Sequence, residues 1–144
     1  MVYFVCMEIA QYGKELENLA KDMLVYLQSS DERVFSVFEK MEKIAEEKED
    51  SALFGYLYFY YACAYYGWNN HEKMMEYIHK AVQELMRSNE IELVARTFNL
   101  FAIEAHRYGC FSIAYQYYNL AETMVEHTDL LHIKALLKTN IGDL

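Results

Sequence analysis

The absence of proline is the feature of this sequence that most restricts its fold. None occurs in 144 residues and glycine occurs only five times, against average usages of about 5% and about 7%. Proline breaks helix interiors and glycine weakens them, whereas sheets and tight turns normally need both. Apolar residues make up 54% of the chain, too many for a disordered protein. The sequence therefore predicts long helices around a packed core, in one domain that spans 1–144.

Short polar turns divide the chain into segments with helical periodicity, and several carry residues that cap helices. Ser29-x-x-Glu32 and Asn89-x-x-Glu92 have the form of a capping box. The predicted helices are 7–28, 31–48, 52–67, 70–87, 90–108, 111–127 and 129–144. Because the connections are short, neighbouring helices are expected to pack antiparallel.

A repeat with a spacing of 40 residues links these helices. A large apolar residue precedes a small one at Tyr61-Ala62, Phe101-Ala102 and Ile141-Gly142. The second helix of each pair repeats at the same spacing in three columns: Val34, Met74 and Ala114; Phe38, Ile78 and Tyr118; Met41, Ala81 and Ala121. A small residue that receives a bulky one lets two helices cross closely, and the next pair can then stack on them.

The stretch 95–121, ARTFNLFAIEAHRYGCFSIAYQYYNLA, resembles a tetratricopeptide repeat. The residues that match the family pattern are Phe98, Phe101-Ala102, Gly109, Phe111, Ala114, Tyr118 and Ala121. Residues 52–87 resemble another repeat, with Asn69 and Met74 departing from the pattern, and Asn140-Ile141-Gly142 resembles the opening of a truncated repeat, 129–144. Residues 7–48 form a divergent pair, with Asp22 where a small residue is expected.

The resemblance implies an all-α fold, in which antiparallel helix pairs stack as a right-handed superhelix. It also implies a non-catalytic module that binds a protein or peptide. The period of 40, longer than the family's roughly 34, is similar to the lengthened repeats in front of bacterial signalling proteins such as GGDEF-type diguanylate cyclases. We therefore expect a regulatory or sensor region whose partner is a protein or peptide ligand, or an output domain of the same protein after Leu144. The alternatives are a stand-alone scaffold, part of a peptide-sensing transcriptional regulator, or an unrecognised enzyme.

Charge and cysteine usage restrict the partners. The net charge is −9 and no basic stripe is visible, so neither nucleic acid nor an anionic membrane surface is an expected partner. The stretch 52–68 lacks charges but holds six tyrosines, which prefer membrane interfaces to membrane centres, so a buried helix is expected. The N-terminus does not resemble a signal peptide. Cys6, Cys63 and Cys110 are read as reduced, buried thiols of a cytoplasmic protein, with an interchain disulfide as the alternative.

Motifs for catalysis or metal binding are weak. His71-Glu72 begins a zinc-binding HExxH, but Met75 stands where the second histidine belongs. There is no nucleophile elbow and no glycine-rich phosphate loop. The sequence therefore predicts no catalytic residue, no metal site and no cofactor.

The first helices of the pairs carry the predicted binding surface. Tyr56, Phe59, Tyr60, Cys63 and Tyr66 form one stripe at helical spacing. Tyrosine offers large contact area at low entropic cost, so this stripe is interpreted as an aromatic concave groove for a peptide or small ligand. The alternative is that both sides of this helix pack against other helices.

A second stripe adds polar groups to the same predicted surface. It consists of Arg96, Asn99, Ile103 and His106, with Arg107 alongside and Asn140 from the next first helix. The arginines could hold a carboxylate or phosphate of the ligand. The alternative is that they pair with Glu92 or Glu104, and the family's carboxylate clamp is not matched in full.

The last predicted helix suggests self-association. Ile133, Leu136, Leu137 and Ile141 form an apolar stripe with no second helix to cover it. Exposed apolar patches usually mark an interaction site, so association of copies through this helix is expected.

Overall fold

The computed structural model describes residues 9–143, and these contain seven α-helices and no strand. A 3-10 turn, Ile9–Tyr12, precedes the first helix. The helices are α1 Lys14–Gln28, α2 Val34–Lys48, α3 Ser51–Gly67, α4 His71–Ser88, α5 Ile91–Arg107, α6 Phe111–Val125 and α7 Leu131–Gly142. The predicted all-α fold is confirmed.

Helix ends differ from the sequence-based prediction at several points. The helix predicted from residue 7 starts at Lys14, because Gly13 has a φ of 106° that ends the preceding turn; residues 7 and 8 lie outside the described part. Both predicted capping boxes are wrong. Ser29 ends α1, and its hydroxyl donates to the carbonyl of Val25. Asn89 ends α4 in a left-handed conformation with a φ of 56°, as a short polar side chain can.

The side-chain caps belong to other residues. Asp50 accepts a hydrogen bond from the Leu53 amide at 3.0 Å and begins α3. Asn70 accepts one from the Lys73 amide at 3.1 Å and begins α4. Each cap satisfies an amide that a helix start leaves without an internal partner, so the two polar turns around α3 fix where this helix pair begins.

The helices pack in consecutive pairs and in two layers. α3 packs along α4 and α5 along α6, while α1 contacts α2. The first helices also touch one another, since α1 contacts α3, α3 contacts α5, and α5 contacts α7. Within 9–143, the second helices α2, α4 and α6 do not contact each other. The first helices therefore form an inner layer and the second helices an outer one. The right-handed superhelix stays a prediction.

Most of the 40-residue repeat lies in the core, but at its last large–small pair Ile141 is partly exposed and Gly142 is exposed. Every member of the three columns in α2, α4 and α6 is buried, as are the small residues Ala62 and Ala102 of α3 and α5. Equivalent burial at equivalent positions is what a stacked repeat requires. The register deduced from size alone is thus the register in which these helices pack.

Helix α3 is buried on nearly every side. It contacts α1, α2, α4 and α5, and Gly55 allows α4 to approach it closely. A Cβ at Gly55 would stand 2.5 Å from Leu85 Cδ2 and 3.3 Å from the Leu85 backbone nitrogen. Its outer side meets a ladder of rings, in which Tyr61 lies 4.2 Å from Phe38 and 4.4 Å from Tyr77 between ring centroids. None of the helices in the described part is both long and apolar enough to span a membrane.

The apolar stripe of α7 is covered in part by the chain itself. Ile133 and Leu137 are fully buried, and only Leu136 and Ile141 are partly exposed. The sequence-based reason for self-association, a stripe without cover, is therefore wrong for half of its residues, because α7 already packs on α5 and α6.

Replacing a small residue at a helix crossing should destabilise the fold. Ala102 is fully buried in α5, so Ala102→Leu should lower the free energy of unfolding by about 1–3 kcal/mol through overpacking. Ala135→Leu makes the same substitution at an exposed position of α7 and should change it by no more than about 0.5 kcal/mol. Chemical denaturation of both variants checks this, and equal midpoints would refute the packing register.

Candidate functional site

Four residues of the aromatic stripe of α3 lie in the core. Tyr56, Tyr60 and Cys63 are at most 1% exposed, and Phe59 is 5% exposed. The Tyr60 ring packs edge-on against Tyr56 and Phe59, with centroids 4.9 and 5.0 Å away. These four side chains are therefore inaccessible to a ligand unless the helices rearrange. Both sides of α3 pack against other helices, which was the alternative interpretation of the sequence.

Polar burial concentrates on the next first helix, α5. The buried polar side chains of residues 9–143 are Arg96, Thr97, Asn99 and Glu104, and all four belong to α5. Thr97 is explained locally, because its hydroxyl donates to the Leu93 carbonyl at 2.7 Å. Burying a polar group costs free energy unless the group has a hydrogen-bond or ion-pair partner. The partners of Arg96, Asn99 and Glu104 therefore decide which polar groups remain for a ligand.

Asn99 pairs with Asn140 across the α5–α7 interface. The Asn140 Nδ2 donates to the Asn99 Oδ1 at 2.7 Å. This bond joins residues 41 positions apart, nearly one repeat. It leaves the Nδ2 of Asn99 as a donor and the Oδ1 of Asn140 as an acceptor, and neither has another hydrogen bond within the described part of the chain. A pair of side-chain amides with one unused donor and one unused acceptor can form hydrogen bonds with an amide group of a ligand.

The amide pair lines a cleft of about 380 Å³, which we call the amide cleft. Its lining residues are Tyr66, Asn99, Ile103, His106, Tyr118, Leu136, Asn140 and Asp143. Four of the residues predicted from the sequence therefore come together: Asn99, Ile103, His106 and Asn140. Tyr66, the last residue of the aromatic stripe predicted on α3, joins them. The tertiary structure adds Tyr118 from α6, and Leu136 and Asp143 from the last helix and its end.

Tyr118 closes one side of the amide cleft. Its side chain is 1% exposed, and burial, with smaller contributions from Tyr66 and Asp143, raises its pKa to about 12. The tyrosine is therefore a neutral hydroxyl at ordinary pH.

Neither predicted arginine is placed in the amide cleft. Arg96 is 6% exposed and its Nε lies 3.6 Å from Glu92 Oε1. Arg107 Nη2 lies 2.5 Å from Glu104 Oε1. The intrachain pairing that the sequence left open is thus the one formed, and each arginine is balanced by a carboxylate of its own helix.

Arg107 also ties two repeats together. Its Nη1 donates to Asn69 Oδ1 at 2.8 Å, and its guanidinium lies 4.7 Å above the Tyr66 ring. The other oxygen of Glu104, Oε2, lies 3.0 Å from His71 Nδ1. A buried carboxylate is tolerated only with partners of this kind, so this network holds the α3–α4 turn against the end of α5.

A second cleft, which we call the thiol cleft, lies on the opposite face of α5. It measures about 390 Å³ and is lined by His71, Met75, Phe101, Glu104, Ala105, Tyr108, Cys110 and Ile113. Asn99 and Phe101 open onto different clefts because two residues turn a helix by about 200°. Cys110 is exposed, which corrects the expectation of a buried thiol, whereas Cys63 is buried as expected. Cys6 lies outside the described residues.

The thiol cleft contains a thiol, an imidazole and a carboxylate, the types found in nucleophilic sites. The contact that such chemistry needs is not formed, because the Cys110 thiol donates to the Tyr108 carbonyl at 3.9 Å and not to His71. Over residues 9–143 no three His, Cys, Asp or Glu side chains are grouped so as to hold a metal ion. A further crevice of about 350 Å³ lies between α6 and α7 and is lined by Glu122, Thr123, Glu126, Lys134 and Lys138.

Comparison with known proteins adds no family. No protein-family model, no curated protein and no solved structure matches the chain. The resemblance to tetratricopeptide repeats stays a prediction, and the candidate site stands on its geometry.

Removing Arg107 should destabilise the fold, because the buried Glu104 carboxylate loses a charged partner. In Arg107→Ala, Glu104 keeps only His71 as a partner, so the free energy of unfolding should fall by about 1–3 kcal/mol. Arg87→Ala is the matched control, since Arg87 pairs with Glu84 on the surface of α4, and it should cost less than about 1 kcal/mol. Equal losses in denaturant titrations would show that the Glu104 network does not stabilise the fold.

Buried tyrosines should make the fold sensitive to alkali. Because the pKa of Tyr118 rises from 10.0 to about 12 on folding, its contribution to stability is complete below pH 10 and is lost as pH rises through 12. The free energy of unfolding should fall over this range, and less steeply in Tyr118→Phe. Tyr115→Phe, at an exposed position of α6, should leave the slope unchanged; identical slopes in both variants would contradict the assignment.

Proposed function

We propose that this chain is a non-catalytic recognition module that binds an extended peptide segment in the amide cleft. The observation that carries the proposal is the Asn99–Asn140 pair. It places one amide donor and one amide acceptor without a second partner in a cleft between successive first helices.

The complementarity is to a peptide backbone. A peptide unit offers an N–H and a C=O, so it can fill the acceptor on Asn140 and the donor on Asn99. Ile103 and Leu136 give the same cleft partly buried apolar walls, which suit a side chain next to the bound peptide unit. The volume of about 380 Å³ is in the range of small-ligand pockets, so the cleft suits a short anchor of a longer segment.

Two features support binding over catalysis. Asn99 of α5 pairs with Asn140 of the next first helix, on the inner surface that a stacked array presents to partners. The thiol cleft, by contrast, lacks a contact between Cys110 and His71. A regulatory or sensor role in a larger signalling protein, in the cytoplasm, belongs to the same proposal and is supported by the resemblance of the repeats and by the exposed thiol of Cys110, which is not in a disulfide.

Peptides selected from a random displayed library against the purified protein supply the probe. Calorimetry should show that Asn99→Ala and Asn140→Ala each weaken the selected peptide by about 3- to 10-fold, the loss of one or two hydrogen bonds. Asn18→Ala, at an exposed position of α1, should bind like the parent protein.

Melting curves of the three variants serve as the folding control. A library that yields no binder, or binders unaffected by both asparagine variants in folded protein, would overturn the proposal.

A further inference from the structure

We infer that the peptide held in the amide cleft presents a lysine or arginine side chain to Asp143. This inference rests on the proposed function and adds the charge of the ligand to it. It opposes the expectation from the sequence, in which arginines hold an anionic group.

The first observation is the charge of the cleft itself. Among its eight lining residues, the carboxylate of Asp143 is the one permanent charge, and His106 is the other titratable group apart from the phenols. Asp143 is exposed at the end of α7. No ion pair of Asp143 is found within 9–143, so the carboxylate is free to meet a cation from a ligand.

The second observation is that nearby cations are already neutralised. Arg96 is held by Glu92, and Arg107 by Glu104. Glu92 Oε1 also lies 2.7 Å from His132 Nε2. An anionic ligand would have to displace these intrachain carboxylates, and for Arg107 this would leave the buried Glu104 with one partner fewer.

The third observation concerns the lysines of α7. Lys134 and Lys138 line the α6–α7 crevice together with Glu122 and Glu126, not the amide cleft. Lys134 precedes Leu136 by two residues, and Lys138 precedes Asn140 by two residues. Two residues correspond to a rotation of about 200° around the helix axis, so the lysines lie on the side away from the cleft. The Lys134 Nζ is engaged further, donating to the Thr128 carbonyl at 2.5 Å. Helix α7 therefore offers amide and carboxylate groups to the cleft and ammonium groups to the other side.

The fourth observation is the aromatic surface beside the carboxylate. Tyr66 and Tyr118 line the same cleft as Asp143. Cations are attracted to aromatic faces; one face of the Tyr66 ring is taken by the Arg107 guanidinium, 4.7 Å from its centroid, whose charge is balanced by Glu104. A ligand cation here meets both a carboxylate and a ring, and the net charge of −9 favours its approach.

The experiment uses the full chain and N-terminally acetylated random peptides, so that the amino terminus does not supply the cation. Selected binders should be enriched in lysine and arginine over aspartate and glutamate. For one selected peptide, Asp143→Asn should weaken binding about two- to fivefold, as expected for an exposed ion pair, and the loss should shrink at high salt.

Asp129→Asn is the matched control, because it changes the net charge equally in the turn before α7, at the far end of that helix, and it should bind like the parent. Replacing the peptide's lysine by glutamate should abolish the preference for Asp143, and Asp143→Lys should restore binding of that peptide. Recovery in this charge-swapped pair would establish the contact.

The outcomes separate the inference from the function on which it rests. Binders that depend on Asn99 and Asn140 but show no basic enrichment, or that tolerate Asp143→Asn, would overturn the inference and leave peptide binding standing. Binders rich in acidic residues would overturn it as well and return the ligand's charge to the arginines. Absence of binders that depend on the asparagines would overturn the proposed function.

Discussion

The burial of α3 is the constraint on which the rest of the structure depends. This helix contacts α1, α2, α4 and α5, and a residue without a side chain, Gly55, brings Leu85 of α4 against its backbone. Rings fill the remaining space, with Tyr61 between Phe38 and Tyr77. Close packing of this kind tolerates little change in volume, so the position of every neighbouring helix follows from how it fits on α3.

Helix α5 differs from α3, because it is a core helix that also carries the buried polar side chains. Glu104 is held by His71 of one repeat and by Arg107, which reaches Asn69. These contacts align α5 with the α3–α4 turn, and the Asn99–Asn140 bond aligns α7 with α5. The same contacts also decide the chemistry of the amide cleft: the arginines are neutralised by carboxylates, and what opens to a ligand is an amide pair, two phenols and Asp143.

Local features of the sequence account for the parts of the site that could be predicted. Asn99, Ile103 and His106 recur at helical spacing, and the repeat places Asn140 beside them, so these four could be predicted from the sequence. Tyr56 and Tyr60 have the same spacing but are buried, whereas a cleft opens beside Asn99 and Ile103 of α5. Spacing identifies a face of a helix, whereas the way in which neighbouring helices pack against that face decides whether a ligand can reach it.

The sequence by itself determined the helical class, the approximate helix boundaries and the 40-residue register. These depend on backbone propensity and on side-chain size, which are properties of nearby residues and of positions one repeat apart. Only the tertiary structure decided that Asn99 hydrogen-bonds Asn140 and that Tyr66, Tyr118 and Asp143 share a cleft with this pair. These residues come from four helices and the end of the last one, and a pattern along one chain does not contain the angle at which packed helices cross.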